Sequence, residues 1–202
     1  GFALSRSPLP VSTLWPPNAL LLAALLLSPT RWWWALLLAA LPAHLAAELG
    51  LGIPLPMVLS WFVSNSTEAL LGAGGVRLLH RGPFRLDSFR QVMVFVFAAA
   101  LVAPFLSSFL DAGLVALNRF GEGGFWQVWS SRLLSSAVAA LTVATVVVTL
   151  GGAGVAALRP SSWRRLLEAS VMTLGLLAAC VAVFATYPTG VQPSPALVYA
   201  PL

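Results

Sequence analysis

Six long apolar runs, separated by clusters of arginine, glycine and proline, constrain this chain more than any other feature. A helix that crosses a bilayer needs about 20 mostly apolar residues. With 59% hydrophobic residues, 8% charged residues and a mean hydropathy of +0.90, the chain is predicted to be all-α, a polytopic transmembrane helical bundle. We predict one integral membrane domain over residues 1–202, with an irregular proline-rich end at 188–202. The six predicted helices lie near residues 14–29, 32–50, 55–78, 91–115, 127–150 and 166–187.

The distribution of arginine predicts the orientation of the helices. All eleven basic residues are arginines, and eight lie in loops on one side, at Arg31 and in the segments 77–90 and 159–165. Loops on the other side carry only Arg6 and Arg119. Because short cytoplasmic loops are rich in arginine, we predict a bacterial inner-membrane protein whose segments 77–90 and 159–165 face the cytoplasm. The arginines form no basic face of a folded domain, which excludes nucleic acid as a partner.

The positions of the tryptophans agree with this orientation, because their amphipathic rings favour the level of the lipid headgroups. We predict that seven of them anchor helix ends at the two interfaces: Trp15, Trp32, Trp33, Trp34, Trp126, Trp129 and Trp163.

Polar and ionisable side chains inside membrane helices are candidate functional groups, because they are costly to bury there. The topology predicts that five of them share one depth, in the outer third of the membrane. One hypothesis is a polar pocket open to the outside, in which the arginine holds an anionic group and the histidine or glutamate senses a proton or a cation. The alternative is an internal salt-bridge network that only ties the helices together. These residues are Asn18, His44, Glu48, Asp111 and Arg132.

The third predicted helix carries a stripe of small and polar residues. Ser64, Asn65, Glu68 and Gly72 recur at helical spacing, deeper in the membrane than the first group. Small residues let neighbouring helices approach closely. The stripe therefore predicts helix packing with an interhelical hydrogen bond or, alternatively, a proton or cation relay at Glu68.

No cofactor, metal or catalytic motif is predicted. A bis-histidine haem needs two histidines in the membrane, but His80 lies in the arginine-rich loop and leaves His44 alone. Ligation of a single haem or pigment by His44 is therefore disfavoured. Cys180, the single cysteine, excludes a disulfide within the chain and a site built from several cysteines. We expect a protein that is not an enzyme.

Five short motifs in chain order resemble a known family. This sequence is similar to the membrane-associated sensor domain of the first type (the MASE-one family) of bacterial histidine kinases and cyclic-dinucleotide enzymes. The resemblance implies about eight membrane helices and a cytoplasmic output domain. The motifs are Trp15-Pro16-Pro17, Pro42-Ala43-His44, the segment from Asn65 to Gly72, the segment from Pro83 to Ser88, and the segment from Ala100 to Pro104.

The sequence departs from that family in the fifth helix. Where the family has a Gly-Asp pair and then Thr-Pro, this chain has Ser135-Ser136 and Thr145-Val146. The resemblance therefore implies the loss of an acidic group at Ser136. Our first hypothesis is a sensory input module that acts on an output domain or partner, and the second is a structural subunit packed among other membrane proteins. A subunit for binding or transporting a small solute is the third.

Overall fold

The computed structural model describes residues 16–80, 82, 84–121 and 123–153, together with the helical positions 167, 170, 171 and 174. The chain divides into two compact units, 1–152 and 153–202. All regular secondary structure in the described part of the first unit is helical, as predicted. The predicted sixth helix and the irregular end at 188–202 lie outside the described residues, apart from those four helical positions. The helices of the first unit are α1 (Pro16–Leu27), α2 (Trp33–Gly50), α3 (Leu55–Leu79), α4 (Phe89–Leu117) and α5 (Phe125–Gly152).

Three helices of the described part are long and apolar enough to cross a membrane. They are α2, extended to Thr30 by a short 3₁₀ turn, α4 and α5. Helix α1 is apolar but has only 12 residues, and α3, with 25 residues, carries a polar run from Ser64 to Glu68. The predicted count of six membrane helices is therefore not confirmed.

Contacts between side chains give the relative directions of the helices. Asn18 contacts Glu68. Ten residues later the backbone of Ser28, just after the end of α1, contacts Arg77, so α1 and α3 run in the same direction. Asn65 and Glu68 contact Arg132 and Ser136 in that order, which makes α5 parallel to α3 as well. Helix α4 runs antiparallel to α3, because Gly75 lies against Ala98 whereas Ser60 contacts Asn118. Helix α3 thus packs against both α1 and α4 and is bonded to α5.

A widened π-helical turn interrupts α4 and another interrupts α5. In α4 the turn covers Val96–Val102, immediately before Pro104. Proline has no N–H to donate, and its ring clashes with the carbonyl of the preceding turn, so the wider turn accommodates it. In α5 the turn covers Ala140–Ala144, and the Thr145 hydroxyl donates to the Ala140 carbonyl at 3.3 Å. Neither turn was predicted from the sequence.

Two apolar clusters form the core at opposite ends of the bundle. The larger one is built from α1, α3, α4 and α5, and its members are mostly alanine, leucine and valine. The smaller one contains Ile53, Met57, Val58 and Val115. Along α3, α4 and α5 the buried residues between these clusters are mostly polar. The bundle therefore has a polar layer between two apolar ones.

Arg77 closes the C-terminal end of α1. Its Nη2 donates to the carbonyls of Leu26 at 2.8 Å and Ser28 at 3.2 Å, and its Nη1 donates to the Gly82 carbonyl at 3.1 Å. The last carbonyls of a helix have no partner within the helix, and a cation there also interacts favourably with the helix dipole. One guanidinium thus joins α1, α3 and the loop after α3.

We expect Arg77→Gln to lower the free energy of unfolding by about 1–2 kcal/mol, because several charge-assisted hydrogen bonds to carbonyls are lost. The measurement is a denaturation curve of the purified chain in detergent. Arg31→Gln, at an exposed arginine in the 3₁₀ turn, is the matched control. Equal losses in the two variants would mean that general charge, and not the cap, stabilises the bundle.

Candidate functional site

A polar layer crosses the middle of the bundle, between the two apolar clusters. Each of three helices contributes three residues spaced so that they share one helix face. All are buried except Arg132, which is half-buried. We call this set the polar layer: Ser64, Asn65 and Glu68 on α3, Ser107, Ser108 and Asp111 on α4, and Arg132, Ser135 and Ser136 on α5.

Glu68 joins four helices through one carboxylate. Its Oε1 accepts a hydrogen bond from Asn18 Nδ2 of α1 at 2.8 Å. Its Oε2 accepts from the hydroxyls of Ser107 on α4 and Ser136 on α5, each at 2.9 Å. Glu68 is only 7% exposed, so these neutral donors replace the water that the carboxylate would otherwise bind. Hydrogen bonds to the charged form stabilise a buried carboxylate.

Arg132 lies one turn away on α5. Its Nη2 donates to Asn65 Oδ1, and its Nε is buried without a hydrogen-bond partner in the described part of the chain. Glu48 is buried near the end of α2, one turn after His44 on the same helix, and lies within electrostatic range of Arg132. His44 Nε2 is 3.0 Å from the Val58 carbonyl, a contact in which the ring N–H donates. The structure thus groups His44, Glu48 and Arg132.

Asn18 lies elsewhere. It was predicted at the depth of His44 and Glu48, but its side chain donates to Glu68, which was predicted to lie deeper. Arg132 likewise bonds to a member of that stripe, Asn65. The structure thus connects two residues of the predicted outer set to the third-helix stripe.

Asp111 is buried, and its Oδ1 has no hydrogen-bond partner in the described chain. The same holds for the hydroxyls of Ser64 and Ser108. Most buried polar atoms in proteins are hydrogen-bonded. The polar layer therefore contains three buried oxygens, of Asp111, Ser64 and Ser108, for which the described residues supply no hydrogen-bond partner.

Small residues bring the helices together next to Glu68. A Cβ built on Gly72 would lie 3.0 Å from Leu22 Cδ1, 3.4 Å from Ala99 Cα and 3.5 Å from Ala103 Cβ. Gly72 is thus packed between α1 and α4, where any larger side chain meets backbone as well as side-chain atoms. Close approach through small residues is typical of membrane helix packing.

The tryptophans occupy different environments. Trp32, Trp34 and Trp126 are more than half exposed, whereas Trp33 is half-buried and donates its Nε1–H to the Leu25 carbonyl at 2.9 Å. Trp129 is also half-buried, packed edge to face against Phe105. Trp15 and Trp163 lie outside the described residues.

Sequence reasoning identified five of the nine members of the polar layer as site residues. It considered Ser135 and Ser136 only as a departure from a family pattern and missed Ser107 and Ser108. The signal was present, because Ser107, Ser108 and Asp111 repeat on α4 the spacing of the polar residues on α3. A search for matching polar spacing on separate helices would have found them.

Within the described residues, no group of three or more histidine, cysteine, aspartate and glutamate side chains is arranged to hold a metal ion. The absence of a cofactor stays a prediction. His44 is positioned by its contact with the Val58 carbonyl and by Phe62, whose ring centre is 5.6 Å away.

Comparison with known proteins gives one positive result. The family model MASE1 matches residues 1–202, the whole chain, which confirms the resemblance to membrane-associated sensor domains. No curated protein and no solved structure matches the chain. MASE1 is a family of membrane sensor domains in signalling proteins. The chain belongs to the MASE1 family.

Proposed function

We propose that this chain is a non-catalytic input module of a bacterial signalling protein, in which a signal changes how the helices meet at Glu68. The observation that carries the proposal is the bonding of four helices to one carboxylate. Each of its three donors comes from a different helix. A signal that favours another arrangement of any one helix would therefore act on the same hydrogen-bond network.

The input is proposed to arrive at His44, Glu48 and Arg132. These groups interact electrostatically, and Arg132 is bonded to Asn65, one turn from Glu68 on α3. A ligand, or a change of charge, at Glu48 would thus change the forces on α5 through Arg132. No other described basic side chain lies in the polar layer, so Arg132 is the proposed connection between input and the Glu68 network.

The proposed orientation follows the arginine distribution. The Arg-rich segments 77–90 and 159–165 face the cytoplasm of a bacterial inner membrane, where an output domain or signalling partner would receive the change. All six predicted helices then cross the membrane, α1 and α3 included. Helix α1 packs against α3, and Arg77 of α3 caps the C-terminal end of α1. These contacts support the proposal that both helices cross the membrane.

The test joins the complete chain to a diguanylate cyclase output domain and measures the cyclic dinucleotide formed. Glu68→Gln and Glu48→Gln are expected to change the output by about threefold or more, since an energy change of about 0.6 kcal/mol, the size of one interhelical hydrogen bond in a membrane, is about one RT. Ser130→Ala is the matched control, because the Ser130 hydroxyl bonds only to the nearby Gln127 carbonyl in its own helix.

Unchanged output in both glutamate variants, at equal protein levels in the membrane, would contradict the sensor proposal. A fusion of the same output domain to an unrelated membrane anchor is measured first, to show that the output domain is active when it is held at the membrane. Unchanged output in the glutamate variants then reports on the input module and not on an inactive output domain.

A structural subunit is the second candidate, and the exposure of α2 favours it. Only 6% of its membrane span is buried within the chain, and its apolar side chains, such as Trp34 and Leu38, are exposed. Lipid covers such a face in a sensor, whereas partner helices cover it in a larger complex. Extraction in mild detergent distinguishes the two, because only the subunit would purify in fixed proportion with other membrane proteins.

A further inference from the structure

The starting point is a charge imbalance among the buried side chains. The described bundle buries three acidic side chains, Glu48, Glu68 and Asp111, and only Arg132 lies with them as a basic group. Three acids and one arginine leave two carboxyl groups without a basic partner. A buried charge without compensation is strongly unfavourable, and in a membrane it becomes neutral or finds a partner.

Glu68 and Glu48 each have polar or basic side chains near their carboxyl groups. Both oxygens of Glu68 accept hydrogen bonds, three in all. Glu48 lies in the field of His44 and Arg132. Asp111 differs from both, because it is 4% exposed and its Oδ1 has no hydrogen-bond partner among the described residues.

Two more unpartnered oxygens belong to the same level of the bundle. Ser108 precedes Asp111 by three residues and shares its face of α4. Helix α3 pairs Glu68 with Ser107 and Ser60 with Asn118, so the antiparallel register brings Ser64 opposite Asp111. The hydroxyls of Ser64 and Ser108 are fully buried and, like Asp111 Oδ1, without a partner in the described chain.

We propose that Asp111, Ser108 and Ser64 bind a sodium ion between α3 and α4. All three groups offer oxygen, the ligand type that hard cations prefer. One carboxylate balances one positive charge, whereas the divalent cations found in proteins are held by more carboxylates and carbonyls. Each serine hydroxyl directs its proton to a carbonyl of the preceding turn when its oxygen binds the ion, as the Ser60 hydroxyl does with the Pro56 carbonyl at 2.8 Å.

Arg132 does not compete for this position. Its Nη2 is already engaged by Asn65 of α3, and it lies within electrostatic range of Glu48. Glu68 already accepts three hydrogen bonds and takes no part in this position. The sodium ion would thus join α3 to α4 one turn away from the Glu68 network.

The experiment measures thermal unfolding of the complete chain in detergent, in about 150 mM sodium chloride and in choline chloride of equal ionic strength. A ligand that binds only the folded chain raises the melting temperature. We expect a rise of about 3–6 °C in sodium for a chain of this size. Asp111→Asn should abolish the rise, and Ser108→Ala should require several-fold more sodium for half of it.

Glu68→Gln is the matched control, because it removes another buried acid from the same layer and should keep the rise. A melting temperature that does not depend on sodium in the unmodified chain would overturn the proposal. A rise that persists unchanged in both Asp111→Asn and Ser108→Ala would overturn it too. If Asp111→Asn does not fold, Ser108→Ala decides alone. The readout is independent of any signalling output, so failure of the sensor proposal would leave this result intact.

Discussion

Gly72→Leu is expected to lower the free energy of unfolding by about 3 kcal/mol, the upper range for overpacking a core. A Cβ at this position already lies 3.0 Å from Leu22 Cδ1 and 3.4 Å from the Cα of Ala99. The leucine end could rotate, but the Ala99 backbone cannot yield without moving α4. The added side chain would therefore separate α3 from α1 and α4 at once. The measurement is an unfolding curve in mixed detergent micelles followed by circular dichroism.

Gly74→Leu is the matched control on the same helix. No atom lies within 4 Å of a Cβ built there, and the residue is only half-buried. Leucine has a higher helix propensity than glycine, worth up to about 1 kcal/mol, so this variant should be neutral or slightly more stable. If both leucine variants lose the same stability, the loss comes from added bulk on α3 in general and the close contact at Gly72 is not its cause.

The second large effect concerns Glu68, and it depends on which replacement is made. Glu68→Gln should preserve most of the stability, because the amide oxygen can accept from Asn18 and the amide nitrogen can donate to the hydroxyls of Ser107 and Ser136. Glu68→Ala removes every acceptor and leaves a cavity. Three interhelical hydrogen bonds at about 0.6 kcal/mol each, together with the cavity term, give an expected difference of about 2–3 kcal/mol between the two variants.

Both variants remove the negative charge, so their difference reports the hydrogen bonds and packing alone. The same unfolding titration applies, and Ser136→Ala, which removes one donor, should lose only about 0.6 kcal/mol. Equal stability of Glu68→Gln and Glu68→Ala would mean that the network around Glu68 contributes nothing measurable to the fold.

The helices themselves could be predicted closely from the sequence. Expected bounds of 32–50 and 55–78 compare with Trp33–Gly50 and Leu55–Leu79, because apolar length and the Gly52-Ile53-Pro54 break specify them locally. Gly52 indeed adopts a φ of 76°, a conformation that glycine reaches without strain. Local signals of this kind require no knowledge of which helices meet.

The partners of the polar side chains could not be predicted in the same way. The sequence indicated that Glu68 forms an interhelical hydrogen bond or a relay, but not that Asn18, Ser107 and Ser136 all donate to it. Which faces meet depends on how far each helix is rotated and shifted along its axis. The close contacts of Gly72 with α1 and α4 help to set that shift, and they act between residues that are distant in the chain.

The π-helical turns in α4 and α5 have a consequence for how the bundle tolerates change in chain length. Each widened turn holds a residue that a regular α-helix would not need, and each begins or ends close to the Glu68 network, at Val102 and Ala140. In α5, which contains no proline, loss of a single residue from the turn would return it to regular α-geometry without breaking the helix. The half of α5 beyond the turn would then keep its partners, so α5 can absorb a deletion that would misalign every contact of an uninterrupted helix such as α3.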